Sequence, residues 1–337
     1  MLALEHAADY MVAGRVSFAE YHGIWKEKLK RMPKRSDYPA SVAAAIGLSL
    51  RRVRERSETA YELLSTLAWL SPEPIPHQEL LVAGAKGLPD SLASAVLDRD
   101  VWMEIEDVLG EYSLLRRVDE GYELHRVVRE VIRAELREEG TADAWFAFAW
   151  ALLNIAFPSN AYDELAHWET AEKVLPHVIE VRSQVDAARA IEGTLLSSAG
   201  LYLGSRGRWG QARSFLTLAL EAAIRLHGPD HPDVTISRSN LANILRDLGE
   251  YEEARTQIEL ALGADLRVLG PDHPSVAIRR SNLASILRDL GQYEEARRQI
   301  EMALAADLLL LGPDHPYVAR DRAILADILR KLGEKPS

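Results

Sequence analysis

The pentapeptide Gly-Pro-Asp-His-Pro occurs at 228–232, 270–274 and 312–316, each copy 42 residues after the last. A fixed period of this length constrains the fold more than any other feature of the chain. One such unit cannot bury its own apolar face, so like units must stack into a solenoid. The period reaches beyond the pentapeptide. Ser239-Asn-Leu-Ala-Asn-Ile-Leu-Arg-Asp-Leu-Gly249 returns as Ser281-Asn-Leu-Ala-Ser-Ile-Leu-Arg-Asp-Leu-Gly291 and, more loosely, as Ala323–Gly333. Going backwards, Gly207-Arg-Trp-Gly-Gln-Ala212 matches Gly249-Glu-Tyr-Glu-Glu-Ala254.

Each unit reads as two helices. Pro232, Pro274 and Pro316 stand where the first helical position tolerates proline, with Asp or His before them as caps. Val234, Leu241, Leu245 and Leu248 recur at helical spacing. Gly249 lets the chain turn, and the second helix carries Ala254, Ile258, Ala261 and Leu262 before Gly270-Pro271 stops it. Small Ala242 and Ala254 permit close approach of the pair.

Leu241, Ala242, Leu245, Gly249, Tyr251, Ala254 and Ala261, with their partners 42 residues later, resemble the tetratricopeptide repeat in its kinesin-light-chain-like form. The tryptophan usual near the start of the first helix is replaced by Arg238 and Arg280. The resemblance runs from about Asp186 to Gly333 and implies a concave face, built from the first helices, that binds a protein or peptide. Mapped onto this chain, that face carries Ser239, Asn240, Asn243 and Arg246, then Ser281, Asn282, Ser285 and Arg288, then Arg320, Asp327 and Arg330. Arg246, Arg288 and Arg330 form one ladder, and Asn240 and Asn282 a second. Amides offer donor and acceptor to an extended backbone, and guanidinium groups pair with carboxylates. The competing expectation is that Arg246 pairs with Glu250 on a solvated surface. His231, His273 and His315 lie one repeat apart, without a ligand-spaced cluster, so turn and cap roles are expected and a metal is not. Trp209, at the place of Tyr251 and Tyr293, is expected to pack.

Residues 57–139 follow another pattern. Ala60–Leu70 reads as an amphipathic helix, Pro72, Pro74 and Pro76 as an extended linker, and Ile75–Leu81 as the start of a second helix. Trp102–Leu109 reads as a third. Tyr112–His125 reads as a hairpin turning at Asp119-Glu-Gly121, and a last helix spans Arg126–Glu138. The fold class expected is mainly α, a winged-helix region followed by an α-solenoid. The divisions are 1–56, a helical subdomain; 57–139, the winged helix; 140–185, a divergent helical repeat with helices at about 141–157 and 162–183; and 186–337, the 42-residue repeats with a terminal capping helix, Tyr317–Leu332.

Leu63-Leu64, Trp69-Leu-Ser-Pro-Glu-Pro-Ile-Pro76, Tyr112-Ser-Leu-Leu115 and Leu124-His-Arg-Val-Val-Arg-Glu-Val-Ile-Arg133 resemble the winged-helix subdomain of bacterial NB-ARC-type STAND ATPases, signalling switches with a C-terminal repeat sensor. Leu2–Met11, Phe18-Ala-Glu-Tyr21 and Tyr38-Pro39 are similar to the helical subdomain before it. The resemblance implies that His125 senses bound nucleotide by touching the β-phosphate of ADP. Arg126 follows where the better-known form has aspartate. The chain contains no Gly-x-x-x-x-Gly-Lys-[Ser/Thr] loop. ADP or ATP is therefore expected only with an upstream nucleotide-binding domain, and no enzyme activity or cofactor is expected of this chain alone.

Three functional classes follow. The first is a non-catalytic sensor of a signalling or defence switch, its array binding a protein or peptide and its winged helix relaying to a nucleotide domain; beginning inside a motif favours this. The second is a stand-alone tetratricopeptide adaptor. The third is a winged-helix DNA-binding regulator. Against the third, residues 57–140 carry a net charge of −10 and the chain −11, whereas a nucleic-acid face should be basic. Arg126, Arg129, Arg133 and Arg137 make a lone basic stripe, alternating with acids. The chain has no cysteine and no apolar stretch of membrane-spanning length, and Met1-Leu-Ala-Leu-Glu-His shows no basic region before an apolar core, so a signal peptide is not expected. A cytoplasmic location is expected, and family switches assemble as homo-oligomers, though no interface is legible.

Overall fold

The structure, a computed structural model, describes residues 2–31, 40–185 and 193–333. It is mainly α-helical with one small hairpin. The chain divides into two compact units, one of residues 1–158 and 166–186, the other of 159–165 and 187–337. Tyr38-Pro39 lies outside the described residues.

In the first unit α1 (Leu2–Ala13) and α2 (Phe18–Arg31) pack on α3 (Ala40–Arg56). The described face of α3 is apolar and closely packed, with Ala44, Ile46 and Val53 wholly buried. Ser57 caps α4 (Glu58–Leu67), its hydroxyl accepting the Ala60 N–H at 3.1 Å. α5 (Asp90–Leu97), α6 (Arg99–Glu111), α7 (Arg126–Glu138), α8 (Ala142–Ala156) and α9 (Trp168–Ser183) complete the unit. The last begins at Trp168 rather than near 162, because a short 3-10 turn, Leu165–His167, intervenes.

The hairpin pairs β1 (Arg116–Val118) with β2 (Gly121–Glu123), Val118 opposite Gly121. The expected proline-rich linker is also part of this sheet. Ile75 and Tyr122 exchange both backbone hydrogen bonds, at 2.7 and 3.0 Å. A Cβ on Gly121, which has φ +142°, would stand 2.0 Å from the Ile75 carbonyl oxygen, so only glycine fits there. The following helix is a π-helical turn, His77–Val82. Trp102 donates its indole N–H to the Tyr122 hydroxyl at 2.8 Å, locking α6 to the hairpin.

The second unit is a run of antiparallel helix pairs: α10 (Thr194–Ser205) with α11 (Trp209–His227), α12 (Pro232–Asp247) with α13 (Tyr251–Val268), and α14 (Pro274–Asp289) with α15 (Tyr293–Leu311), closed by α16 (Pro316–Leu332). Ala242, Ala254, Ala284 and Ala296 are fully buried between paired helices. Gly249 and Gly291 adopt φ +80° and +77°, the left-handed turn that ends each first helix. Trp209 departs from expectation and is 41% exposed.

Candidate functional site: the inner face of the array

The first helices α10, α12, α14 and α16 touch in succession, while no comparable packing joins α11 to α13 or α13 to α15 among the described residues. The first helices therefore line the inner, concave side of the array. Three of the four, α12, α14 and α16, are started by a histidine, whereas α10 follows Gly193. His231, His273 and His315 accept the backbone N–H two residues on at Nδ1, at 3.2, 3.1 and 3.2 Å. An imidazole acceptor here satisfies a helical N–H that has no carbonyl partner. His125 uses the same geometry at α7, accepting from Val127 at 3.2 Å, and is exposed.

Of the polar residues assigned to the inner face, Ser239, Ser281 and Ser285 are buried. Ser239 accepts from the Asn282 amide at 3.1 Å, tying one rung to the next. Ser281 donates to buried Asp321 at 2.6 Å, while Arg320 donates to the Ser281 hydroxyl at 2.9 Å. These groups knit the face together. Asn240 and Asn243 are half-buried, and their side-chain amides make no hydrogen bond among the described residues. Three residues apart on α12, they share one helix face.

The arginine ladder is accompanied by aspartates. Arg246 lies 3.5 Å from Asp247 and 3.7 Å from Asp289 of the next rung. Arg288 lies 2.7 Å from Asp289 and 3.6 Å from Asp327. Arg330, mostly exposed, pairs with Asp327. The expected Arg246–Glu250 pair does not form. Gly249 turns the chain away from α12, and Glu250 instead accepts from Arg213 of α11 at 2.9 Å. Of these aspartates the sequence places only Asp327 on the inner face; Asp247 and Asp289 repeat at 42, but their pairing with the ladder depends on how the rungs stack. Asp327 stands where its predecessors are Asn243 and Ser285.

The tetratricopeptide repeat family matches residues 191–266, 233–308 and 280–337. The C-terminal repeats are tetratricopeptide repeats. Among solved structures, the chain is similar to BtubC (BKLC) from P. vanneervenii, with 17% identity, TM-score 0.42, 77% of this chain and 85% of that one. It is similar to kinesin light chain nearly identical TPR-like repeats from Podosopora anserina, with 18% identity, TM-score 0.41, 60% of this chain and 84% of that one. It is also similar to a Signal Transduction ATPase with Numerous Domains from Pyrococcus horikoshii that has a tetratricopeptide repeat sensor, with 14% identity, TM-score 0.40, 97% of this chain and 62% of that one. No curated protein sequence matches. Tetratricopeptide repeats are protein-interaction modules. Among the described residues, no helix is long and apolar enough to cross a membrane.

The basic stripe of α7 is divided by the fold. Arg129 and Arg133 are each 6% exposed. Arg129 donates to the Leu70 carbonyl, and Arg133 donates to the Ala68 carbonyl at 2.6 Å and to Glu180 at 3.1 Å. They satisfy carbonyls just beyond α4, where the backbone leaves its helix. Arg126 and Arg137 alone remain exposed. His177, fully buried, donates Nε2–H to the Pro74 carbonyl at 3.1 Å. Burial pulls its pKa down to about 4, against the weaker upward pull of that hydrogen bond.

Proposed function

We propose that this chain is a non-catalytic sensor whose array holds an extended protein segment along α12, α14 and α16. The observation that carries this is the pair of unengaged amides on Asn240 and Asn243. Both amides reach the surface of the inner face without a protein partner among the described residues, and a peptide backbone offers the matching donor and acceptor. The neighbouring Arg–Asp ladder is nearly charge-balanced, so it fixes register and selects side chains rather than attracting any acidic chain. The N-terminal unit serves as the relay. Its His125 is exposed and caps α7, and in this reading it reports on a nucleotide held by a separate domain. Without that domain the chain neither binds ATP tightly nor hydrolyses it.

The test is a display library of extended peptides selected on the full chain. Enriched peptides should bind the wild type and bind Asn240→Ala plus Asn243→Ala at least ten-fold more weakly. Equal affinity for both proteins, or no enrichment, would overturn the peptide reading.

A stand-alone adaptor would use the same groove. ADP binding to this chain alone, measured by calorimetry and lost in His125→Ala, would contradict the need for a separate nucleotide domain.

A further inference from the structure

The three Gly-Pro-Asp-His-Pro turns are alike in sequence but not in surroundings. At the first, His227 closes α11, His231 caps α12 and Asp233 follows in its first turn. Forty-two residues on, the same three places hold Leu269, His273 and Ser275; at the third turn they hold Leu311, His315 and Tyr317. Only the first turn therefore gathers two imidazoles and a carboxylate. The three donor atoms all lie within 4.8 Å of one another. His227 Nε2 is 3.6 Å from Asp233 Oδ2, and His231 Nδ1 is 3.5 Å from the same oxygen. The two rings stack, with centroids 4.3 Å apart.

We infer that His227, His231 and Asp233 form a binding site for a zinc-class divalent cation. A tetrahedral metal with bonds of about 2.0–2.1 Å needs donors about 3.3 Å apart. Two of the three edges are already close to this, and side-chain rotation at an exposed turn closes the third. Two imidazoles and one carboxylate are borderline donors that suit Zn2+ and exclude Mg2+ or Ca2+, which require more oxygens. Three protein ligands leave a fourth position for water or for a donor from a bound partner.

The local dipoles do not oppose the cation. The negative end of α11 and the positive end of α12 meet here and offset each other. Asp230, in the same turn, is held by Arg267 at 2.5 Å and stays outside the cluster. His231 Nδ1 accepts the Asp233 N–H when no metal is bound and exchanges that bond for the metal. The site thus couples an ion to the start of α12, the helix that carries Asn240 and Asn243.

The test is calorimetric titration of the untagged full chain with Zn2+, together with the visible spectrum on adding Co2+. One tight equivalent is expected, with the absorption of four-coordinate cobalt. His227→Leu and Asp233→Ser install what the next repeat carries, so the fold is kept, and each should weaken binding at least ten-fold and abolish the cobalt spectrum. Leu269→His plus Ser275→Asp should create a second equivalent. A wild type that binds Zn2+ no more tightly than His227→Leu, or a cobalt spectrum unchanged by that substitution, would overturn the site.

Discussion

Arg279 Nε lies 3.2 Å from Asp265 Oδ2, and both side chains are more than nine-tenths buried. The pair joins α13 to α14 inside the array. One repeat earlier the same places hold Ala223 and Ser237; one repeat later they hold Asp307 and Asp321, both acidic and both buried. Burial and the nearby Asp321 raise the Asp307 pKa. The array thus tolerates three different solutions at one place between repeats. None of them is a lone charge facing an apolar or neutral partner: removing one partner of a buried ion pair costs about 3–5 kcal/mol, while replacing both is often neutral. Arg279→Ser alone should therefore destabilise the array strongly. Asp265→Ala plus Arg279→Ser, the combination of the preceding repeat, should recover most of the loss. Urea unfolding midpoints of the two variants check this.

A pH dependence follows from His177. Its ring is neutral in the folded unit, with a pKa near 4, against about 6.5 when unfolded. The unfolded chain then binds more protons between those values, so stability is full above about pH 6.5 and falls as pH drops towards 4. The loss is of order 3 kcal/mol by linkage. His177→Gln removes the titrating group, and its unfolding midpoint should decline less steeply over that window than the wild type's. Parallel curves for the two proteins would show that other groups set the acid limit.

The legibility of the chain was uneven for physical reasons. Helix starts at Pro232, Pro274 and Pro316 could be read because proline and its preceding cap residue act locally. The hairpin turn was equally local. The pairing of Ile75 with Tyr122 could not be read, because it joins residues 47 apart in sequence, and three nearby prolines pointed to a linker. The inner-face ladder was half legible. Arg246 and Arg288 repeat visibly, but their partner Asp289 is chosen by stacking, and Arg246 reaches it across 43 residues. His227 lay outside the repeated pentapeptide and gave no periodic signal at all.

Asp289 is the internal competitor for the ladder, sitting beside both Arg246 and Arg288. Asp289→Ala should leave two guanidinium groups for a ligand carboxylate. An oligo-glutamate peptide should then bind the variant several-fold more tightly than the wild type at low salt. The difference should shrink at high salt because these groups are only part-buried. Thermal stability should change little, since Arg288 keeps Asp327 and Arg246 keeps Asp247 as partners and solvent-screened pairs contribute about 0–1 kcal/mol. Fluorescence anisotropy at two salt concentrations measures it, and unchanged affinity would mean the ladder does not meet ligand charge.

A helix that reads DNA must present its cations to phosphate, and the salt dependence of binding counts them. Arg129 and Arg133 are instead committed to the Leu70 and Ala68 carbonyls inside the unit. Arg133→Met should therefore unfold the N-terminal unit at lower denaturant, by ~2–4 kcal/mol, since it strips a carbonyl and Glu180 of a charged partner. Arg126→Glu plus Arg137→Glu, at the two exposed positions, should leave stability nearly unchanged. Neither the wild type nor this double variant should shift duplex DNA in a gel at moderate salt. A shift by the wild type that weakens steeply with salt and vanishes in the double variant would restore the DNA-binding alternative.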